Sequence, residues 1–223
     1  MLLNLATIWN IFEDRQAMKF TQFKAALKDF TVFSFSDIRL IDPHFHRRRL
    51  VEWQEKGYIK KIAKGHYVFA DLTVDENILY EIANRLYNPS YVSLESALSY
   101  YQLIPEAVYG ITSVSTRRTY SFSTPFGEFH YRTIKPSFFF GYKITIFDSK
   151  SFKIADLEKA LIDFFYLHPN LKSESDIISL RFNTEIFMEK INHQKLQKYL
   201  RKLSKTALSE RISKYLEFVT KKL

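Results

Sequence analysis

The segment from Phe33 to Phe69 constrains the fold more than any other part of the chain. Within it, Asp42 and Pro43 stand just before a run with helical spacing, and Gly57 follows the end of that run. Aspartate is a favoured N-cap, proline is tolerated at the first helical position, and glycine is common just beyond a helix end. The pattern therefore predicts a helix that begins at Pro43 and stops before Gly57.

This predicted helix divides its side chains between two faces. The expected core-facing stripe consists of His46, Leu50, Trp53 and Gly57. The opposite, solvent-facing side carries basic residues at i, i+3 and i+4, with a further arginine on the flank: His44, Arg47, Arg48 and Arg49. A guanidinium group can pair bidentately with phosphate and with guanine, so this face favours nucleic acid as a ligand.

A basic two-stranded hairpin follows, with a predicted turn at Lys64 and Gly65. Two short helices and a hairpin in this order are typical of a winged helix-turn-helix, which places its second helix in the major groove of DNA. The alternative is an ordinary basic surface helix beside a hairpin. Agreement between the cap, the stripe, the glycine stop and the basic hairpin favours DNA binding.

The distribution of charge supports this interpretation. The chain has 223 residues and a formal net charge of +9. Residues 15–67 carry twelve basic and five acidic side chains, and residues 151–223 carry fourteen and nine. Residues 68–150 are close to neutral. A concentrated positive charge attracts polyanions, although acidic proteins and membranes would respond to it as well.

Composition also excludes several classes of protein. The chain contains no cysteine, so a disulfide framework and a thiolate metal site are excluded, and a reducing cytoplasm is the expected location. Residues 2–12 are expected to form a short amphipathic helix. They lack the basic start and the small-residue cleavage site of a signal peptide. No apolar run approaches the roughly 20 residues that a membrane span requires.

The remaining pattern predicts an α+β protein of two domains. Residues 71–77 form a polar break, which divides residues 1–75, a winged helix-turn-helix domain with a short extension, from a mixed domain at residues 76–223. In the second domain, Ser93 is expected to cap a helix. Period-two patterning from Val108 to Ile154 predicts a small, mostly antiparallel sheet. An amphipathic helix and a lysine-rich helical region should follow it.

Three segments of the chain resemble the AbiEi-type antitoxins of type IV toxin–antitoxin systems, which are regulators of abortive infection. They are RRRLVEWQEKGYIKKIAKGHYVF at 47–69, NPSYVSLESALSYYQLIP at 88–105 followed by ITSVSTRR, and ADLEKALIDFFY at 155–166. The first would suit many winged-helix proteins, and the other two are more specific. The chain departs from the simplest family pattern in its extra amino-terminal residues and its lysine-rich tail.

The resemblance implies a function for each domain. The amino-terminal domain would repress the antitoxin's own operon, and the carboxy-terminal domain would neutralise a toxin of nucleotidyltransferase type. Carried over by position, the expected operator contacts are His44, Arg47, Arg48 and Arg49, with hairpin contacts from Lys60, Lys61 and Lys64. No cofactor, metal or enzymatic activity is expected. The oligomeric state stays open.

Other candidate chemistry is weaker. The histidines are scattered and the five glycines form no phosphate-binding loop. Glu158 and Asp163, five residues apart on one helix, favour a surface salt bridge or a buried hydrogen bond over an acid/base pair. Asp148-Ser149-Lys150 matches only the end of a nuclease motif. Arg117 and Arg118, beside several hydroxyl side chains, could bind phosphate or an acidic partner, but an exposed hairpin end is preferred.

Two further functions compete with the antitoxin. One is an effector-binding transcription factor that has no toxin partner. The other is a nucleic-acid enzyme whose active site the sequence does not reveal. A neighbouring reading frame that encodes a nucleotidyltransferase would favour the antitoxin over the effector-binding transcription factor. Catalysis by the purified protein would favour the nucleic-acid enzyme.

Overall fold

The computed structural model describes residues 18–104, 110–171 and 173–222. The described chain divides into two compact units. The first comprises residues 18–61 and 65–71, and the second comprises residues 62–64 and 72–222. The division after Asp71 falls inside the polar segment that the sequence marks as a break. The helix expected at residues 2–12 lies outside the described residues.

Short helices and strands alternate in the amino-terminal part. In chain order they are α1 (Phe20–Ala26), β1 (Phe33–Ser34), α2 (Phe35–Ile41), α3 (Arg48–Glu55), β2 (Ile59–Ala63) and β3 (His66–Phe69). Strand β3 lies between β1 and β2, and β1 is antiparallel to β3. A reciprocal cap starts α2: the Asp37 amide donates to Ser34 Oγ, and the Ser34 amide donates to Asp37 Oδ2.

An aromatic core joins the elements of the first unit. Its buried members are Phe23, Leu27, Phe33, Ile38, Phe45, Leu50, Trp53, Ile59 and Phe69. The Phe23 ring centre lies 4.5 Å from that of Trp53 and 5.8 Å from that of Phe45. Aromatic rings at these separations contribute stabilisation beyond the apolar area they bury. This packing fixes the position of α3, which carries the arginines.

Helix α3 begins later than the sequence pattern predicts. Asp42 is the C-cap of α2 instead of the N-cap of α3, and Pro43 lies in the loop between the two helices. The loop carries Phe45 into the core and leaves His46 exposed. The prediction that His46 belongs to the core-facing stripe is therefore wrong. His44 also lies in the loop, so the predicted helical spacing between it and the arginines does not apply.

The carboxyl end of α3 agrees with the prediction. Gly57 has φ +69°, its amide donates to Gln54 O at 3.0 Å, and the Tyr58 amide donates to Trp53 O at 2.9 Å. These two bonds form a Schellman cap, which needs a residue in the left-handed region. Leu50 and Trp53 are buried, as the stripe predicts, whereas Gly57, which the stripe also includes, is exposed.

The second unit is larger and contains a six-stranded sheet with helices. Its described elements are α4 (Glu76–Leu86), β4 (Ser90–Val92), α5 (Leu94–Tyr100), β5 (Ile111–Ser115), β6 (Tyr120–Thr124), β7 (Gly127–Thr133), a 3-10 turn (Pro136–Phe138), β8 (Tyr142–Phe147), β9 (Lys150–Ala155), α6 (Leu157–Leu167), α7 (Glu174–Ser179), α8 (Thr184–Lys190), α9 (His193–Leu203) and α10 (Thr206–Lys222). The mixed α/β content and the helical carboxy-terminal region were both predicted.

The order of strands in this sheet is β6-β7-β5-β4-β9-β8. The pairs β6–β7, β4–β5 and β8–β9 are antiparallel, which agrees with the predicted mostly antiparallel sheet. The pairs β5–β7 and β4–β9 are parallel, which the sequence pattern does not predict. Both depend on residues distant in sequence, because parallel strands require a crossover connection.

Helix α6 packs against α5, α9, α10 and β9. Asp156 caps it by accepting a hydrogen bond from the Lys159 amide at 2.9 Å. Nearly every position of α6 is buried, from Leu157 to Phe165. Among the described helices, none combines the length and the apolar character of a membrane span.

Candidate nucleic-acid interface

The predicted DNA-contacting residues lie in the loop before α3, in its first turn, and on the β2–β3 hairpin. Their positions are His44 in the loop, Arg47 at the N-cap of α3, Arg48 and Arg49 in its first turn, Lys60 and Lys61 on β2, and Lys64 in the hairpin turn. All of them are exposed except Arg49, which is half-buried. Their side chains are therefore accessible to a ligand.

The loop between α2 and α3 is held in shape by two local contacts. Asp42 Oδ1 accepts a hydrogen bond from the His44 amide at 3.0 Å. The Arg39 guanidinium donates to Pro43 O through Nε at 3.2 Å and through Nη2 at 3.0 Å. Asp42 thus forms a turn of its own rather than capping the next helix. Arg39, which the sequence pattern did not single out, adds a further exposed cation beside this loop.

Aromatic rings support three of the arginines. The guanidinium carbon of Arg47 lies 4.4 Å from the centre of the Phe35 ring, and that of Arg39 lies 5.7 Å from the same ring. Arg49 lies 4.9 Å from the Trp53 ring centre. A guanidinium group over an aromatic face is attracted to it and loses rotational freedom. These arginines are thus oriented before any ligand binds.

Arg48 projects into solvent. Its side chain is 90% exposed, and its Nε lies 3.8 Å from Glu52 Oε1, one helical turn away. An exposed i,i+4 pair of this kind contributes little to stability. A phosphate or a base edge could therefore replace Glu52 as the partner of Arg48 at small cost.

The first turn of α3 contains arginines and no acidic residue. Cations at a helix amino terminus are unfavourable, because the free amides there already carry partial positive charge. The same arrangement attracts an anion, which both the amides and the guanidinium groups can contact. A bound anion would therefore offset the unfavourable interaction between the arginines and the free amides of this turn.

The hairpin presents its lysines differently from a regular amphipathic strand. Lys60 and Lys61 are consecutive and both exposed, whereas Ile59 and Ile62 on either side are buried. Among the described strands β2 lies at the edge of the order β1-β3-β2, so both lysines reach solvent although they point to opposite faces. Lys64 is exposed in the turn that follows.

In the second unit, Arg117 and Arg118 follow β5 and are exposed. They do not occupy a hairpin end, because β7 lies between β5 and β6. Arg117 Nη1 donates to Asn88 O at 3.1 Å, and its guanidinium carbon lies 4.2 Å from the Tyr87 ring centre.

Two of the hydroxyl groups expected beside these arginines are used within the fold. Ser115 Oγ donates to Pro89 O at 2.6 Å, and Thr112 Oγ1 donates to Ser93 O at 2.8 Å. The strand therefore does not present them to solvent with the arginines.

A buried charge network lies in the second unit, and its ion pair was not predicted. Lys159 and Asp163 have no exposed side-chain surface and form an ion pair on α6. Asp163 Oδ2 also accepts hydrogen bonds from Tyr91 Oη and Ser93 Oγ, both at 2.9 Å. Ser93 stands at the N-cap of α5 as expected, but its hydroxyl serves Asp163 and not the helix. Burial raises the pKa of Asp163 and lowers that of Lys159.

The second carboxylate considered on this helix, Glu158, is also buried. Its Oε1 accepts a hydrogen bond from the Asn192 amide at 2.8 Å, and its Oε2 lies 3.1 Å from Lys195 Nζ. The expectation of a buried hydrogen bond is therefore confirmed for both Glu158 and Asp163, whereas the alternative, a surface salt bridge, is wrong for both. These contacts connect α6 to the sheet and to the residues around α9.

The nuclease-like triplet forms a turn. Asp148 and Ser149 connect β8 to β9, with φ of +40° and +66°. Phe147 pairs with Lys150 directly across them. Two successive residues with positive φ are typical of a tight hairpin turn. The tight turn between β8 and β9 therefore accounts for Asp148, Ser149 and Lys150 at these positions.

Comparison with known proteins adds no family assignment. No family model matches the chain, and no curated protein is significantly similar to it. Within the described ranges, no group of three or more histidine, aspartate or glutamate side chains is arranged to hold a metal ion.

Proposed function

We propose that the chain is a DNA-binding antitoxin of the AbiEi type, which represses its own operon and neutralises a nucleotidyltransferase toxin. The observation that carries the DNA-binding part is the run of accessible arginines at the amino end of α3, supported by the Phe35 and Trp53 rings. The order of elements in this part, helix–strand–helix–helix–hairpin, is consistent with a winged helix-turn-helix.

In this proposal α3 is the recognition helix and the β2–β3 hairpin is the wing. Recognition helices contact base edges through their amino-terminal residues, which here are the arginines. Arg48 is the best candidate for a guanine contact, since its side chain is 90% exposed. Lys60, Lys61 and Lys64 would contact phosphates, which supply affinity without sequence preference.

The antitoxin part rests on the resemblance and on two hydrogen bonds in the second unit. The two family-like segments, at 88–105 and 155–166, meet in the buried network. Tyr91 and Ser93 come from the first segment, and both donate to Asp163 in the second. Their role is to position β4, α5 and α6 relative to one another. The segments at 88–105 and 155–166 are thus joined by direct hydrogen bonds, although they are separate in sequence. This contact supports treating the two segments as one motif.

The DNA-binding part can be tested by an electrophoretic mobility shift with the full chain. The probe is a duplex taken from upstream of its own coding sequence, with an unrelated duplex of equal length as competitor. We expect retention of the upstream duplex at concentrations where the competitor remains unbound. Equal affinity for the two duplexes would refute operator recognition.

The antitoxin part can be tested by co-expression with the product of an adjacent nucleotidyltransferase reading frame. The full chain should restore growth, and so should the double variant Arg47→Ala/Arg48→Ala, because neutralisation is assigned to residues 76–223. Loss of rescue in that variant would refute this division of labour. Absence of any nucleotidyltransferase gene beside this one would favour an effector-binding transcription factor.

A further inference from the structure

The outward face of α3 carries an apolar side chain among charged ones. Leu50 and Trp53 turn toward the core and are buried. Residues at i, i+3, i+4 and i+7 share one face of a helix. On the side of α3 that faces solvent, these positions are all exposed and hold Arg48, Val51, Glu52 and Glu55. Val51 is 52% exposed, so packing in the core does not account for a valine there.

A single exposed apolar residue is common on protein surfaces and needs no partner on that ground alone. Val51 is distinguished by its place, three residues after Arg48 on the face that the proposed recognition helix turns toward DNA. Valine is also a weaker helix former than alanine or a long polar residue, because its branched side chain loses freedom in a helix. Helix stability therefore does not account for the valine either.

The acidic residues of the same face indicate what can lie opposite Val51. Glu52 and Glu55 repel phosphates, and α3 contains no basic residue after Arg49. Phosphate contacts therefore belong to the first turn of the helix and to the hairpin. Base edges are compatible with the rest of the face, because the amino groups of cytosine and adenine in the major groove can donate to a carboxylate.

The chemistry of Val51 selects one base among the four. Its side chain offers methyl groups and no hydrogen-bond donor or acceptor. The C5 methyl of thymine is the apolar group that base pairs present in the major groove. In a helix valine has one strongly preferred rotamer, so its methyl groups are held in place before DNA binds.

Helical spacing relates this contact to the guanine assigned to Arg48. Arg48 and Val51 are about 4.5 Å apart along the helix axis, and successive base pairs are about 3.4 Å apart. Val51 therefore reaches the base pair next to the one that Arg48 contacts. We infer that Val51 is a specificity-determining residue that contacts the C5 methyl of a thymine beside the guanine bound by Arg48. This inference rests on the proposed function and deepens it, because it names a base step that the operator contains.

Replacement of each thymine of the upstream duplex in turn by deoxyuridine tests the contact, because it removes only the C5 methyl. Affinity of the full chain is measured by fluorescence anisotropy. The wild type should bind about threefold to fivefold more weakly when the contacted thymine is replaced, as expected for loss of one buried methyl group. Val51→Ala should bind the thymine and uracil duplexes equally well. Ile178→Ala, at a 54% exposed position of α7, is the matched control and should keep the wild-type ratio.

The spacing is tested at the guanine beside the sensitive thymine. Replacement by 7-deazaguanine removes the N7 acceptor that a bidentate arginine contacts. This change should weaken binding by the wild type and have no effect on binding by Arg48→Ala. A sensitive thymine with no such guanine in a neighbouring base pair would overturn the proposed pairing of the two side chains.

The outcomes separate this contact from operator recognition itself. A wild type that prefers the upstream duplex but tolerates uracil at every position overturns the contact alone, and so does a uracil penalty that persists in Val51→Ala. A wild type with no preference for the upstream duplex refutes operator recognition. Circular dichroism should show that Val51→Ala is folded, since alanine favours a helix. Failure of this folded variant to neutralise the toxin would assign Val51 to a protein partner and overturn the contact.

Discussion

The guanidinium group of Arg47 lies over the Phe35 ring, with its carbon 4.4 Å from the ring centre. This contact joins the start of α3 to the start of α2. It restricts an exposed side chain to one region of space and leaves its hydrogen-bond donors available. Arg47 is thus pre-positioned for an anion.

Phe35→Leu should weaken DNA binding without unfolding the protein. Leucine keeps apolar packing at this half-buried position but removes the ring beneath Arg47. At an exposed site a cation–π contact contributes about 0.5–1 kcal/mol, so we expect a twofold to fivefold loss of affinity by fluorescence anisotropy. The melting temperature should change little. Affinity equal to that of the wild type would show that the ring does not position Arg47.

DNA affinity should fall steeply as salt concentration rises. If binding neutralises about six phosphates, a plot of log affinity against log salt concentration should have a slope of about −5. Lys60→Ala/Lys61→Ala should make that slope shallower by about 2, whereas Lys198→Ala in the second unit should leave it unchanged. A slope near zero for the wild type would contradict an electrostatic interface. The same slope in the hairpin variant would exclude the lysines from it.

Some of the interface was predictable because its signals are local. The Gly57 cap and the buried Leu50 and Trp53 follow from residue type and helical spacing. The start of α3 was not predictable, because Asp42 and Pro43 suit a helix start and a loop equally well. Burial of Phe45 decides between them, and it depends on the distant ring of Phe23.

The buried network of the second unit had no local signal. Charged residues on a helix are expected to face solvent, and Lys159 and Asp163 face the interior. Their burial follows from the elements that surround α6, which the sequence does not place. The parallel pairing of β4 with β9 was missed for the same reason, because it joins residues about sixty positions apart.

Asp163→Ala should strongly destabilise the second unit. The substitution leaves the Lys159 ammonium group buried without its partner, which costs about 3–5 kcal/mol in comparable pairs. Urea denaturation followed by circular dichroism would measure the loss. Glu217→Ala, at an exposed position of α10, should change the free energy of unfolding by less than about 0.5 kcal/mol. An Asp163→Ala variant as stable as this control would show that the ion pair is unimportant.

Stability should decrease above about pH 10. Burial raises the pKa of the Tyr91, Tyr131 and Tyr215 phenols in the folded chain, whereas in the unfolded chain they ionise near 10. The unfolded state therefore releases protons first, and its free energy falls relative to the folded state as pH rises. Urea midpoints at pH 8, 9.5 and 11 would measure this, and Tyr131→Phe should reduce the alkaline loss. Tyrosinate absorbance that develops fully near pH 10 without unfolding would contradict the burial of these groups.

The most direct test of the proposed interface is the affinity of Arg47→Ala/Arg48→Ala for the upstream duplex, measured by fluorescence anisotropy beside the wild type. Each side chain that reads a base should contribute about 1–3 kcal/mol, so the double variant should bind at least about tenfold more weakly while remaining folded. Wild-type affinity in that variant would contradict the assignment of α3 as the element that contacts DNA.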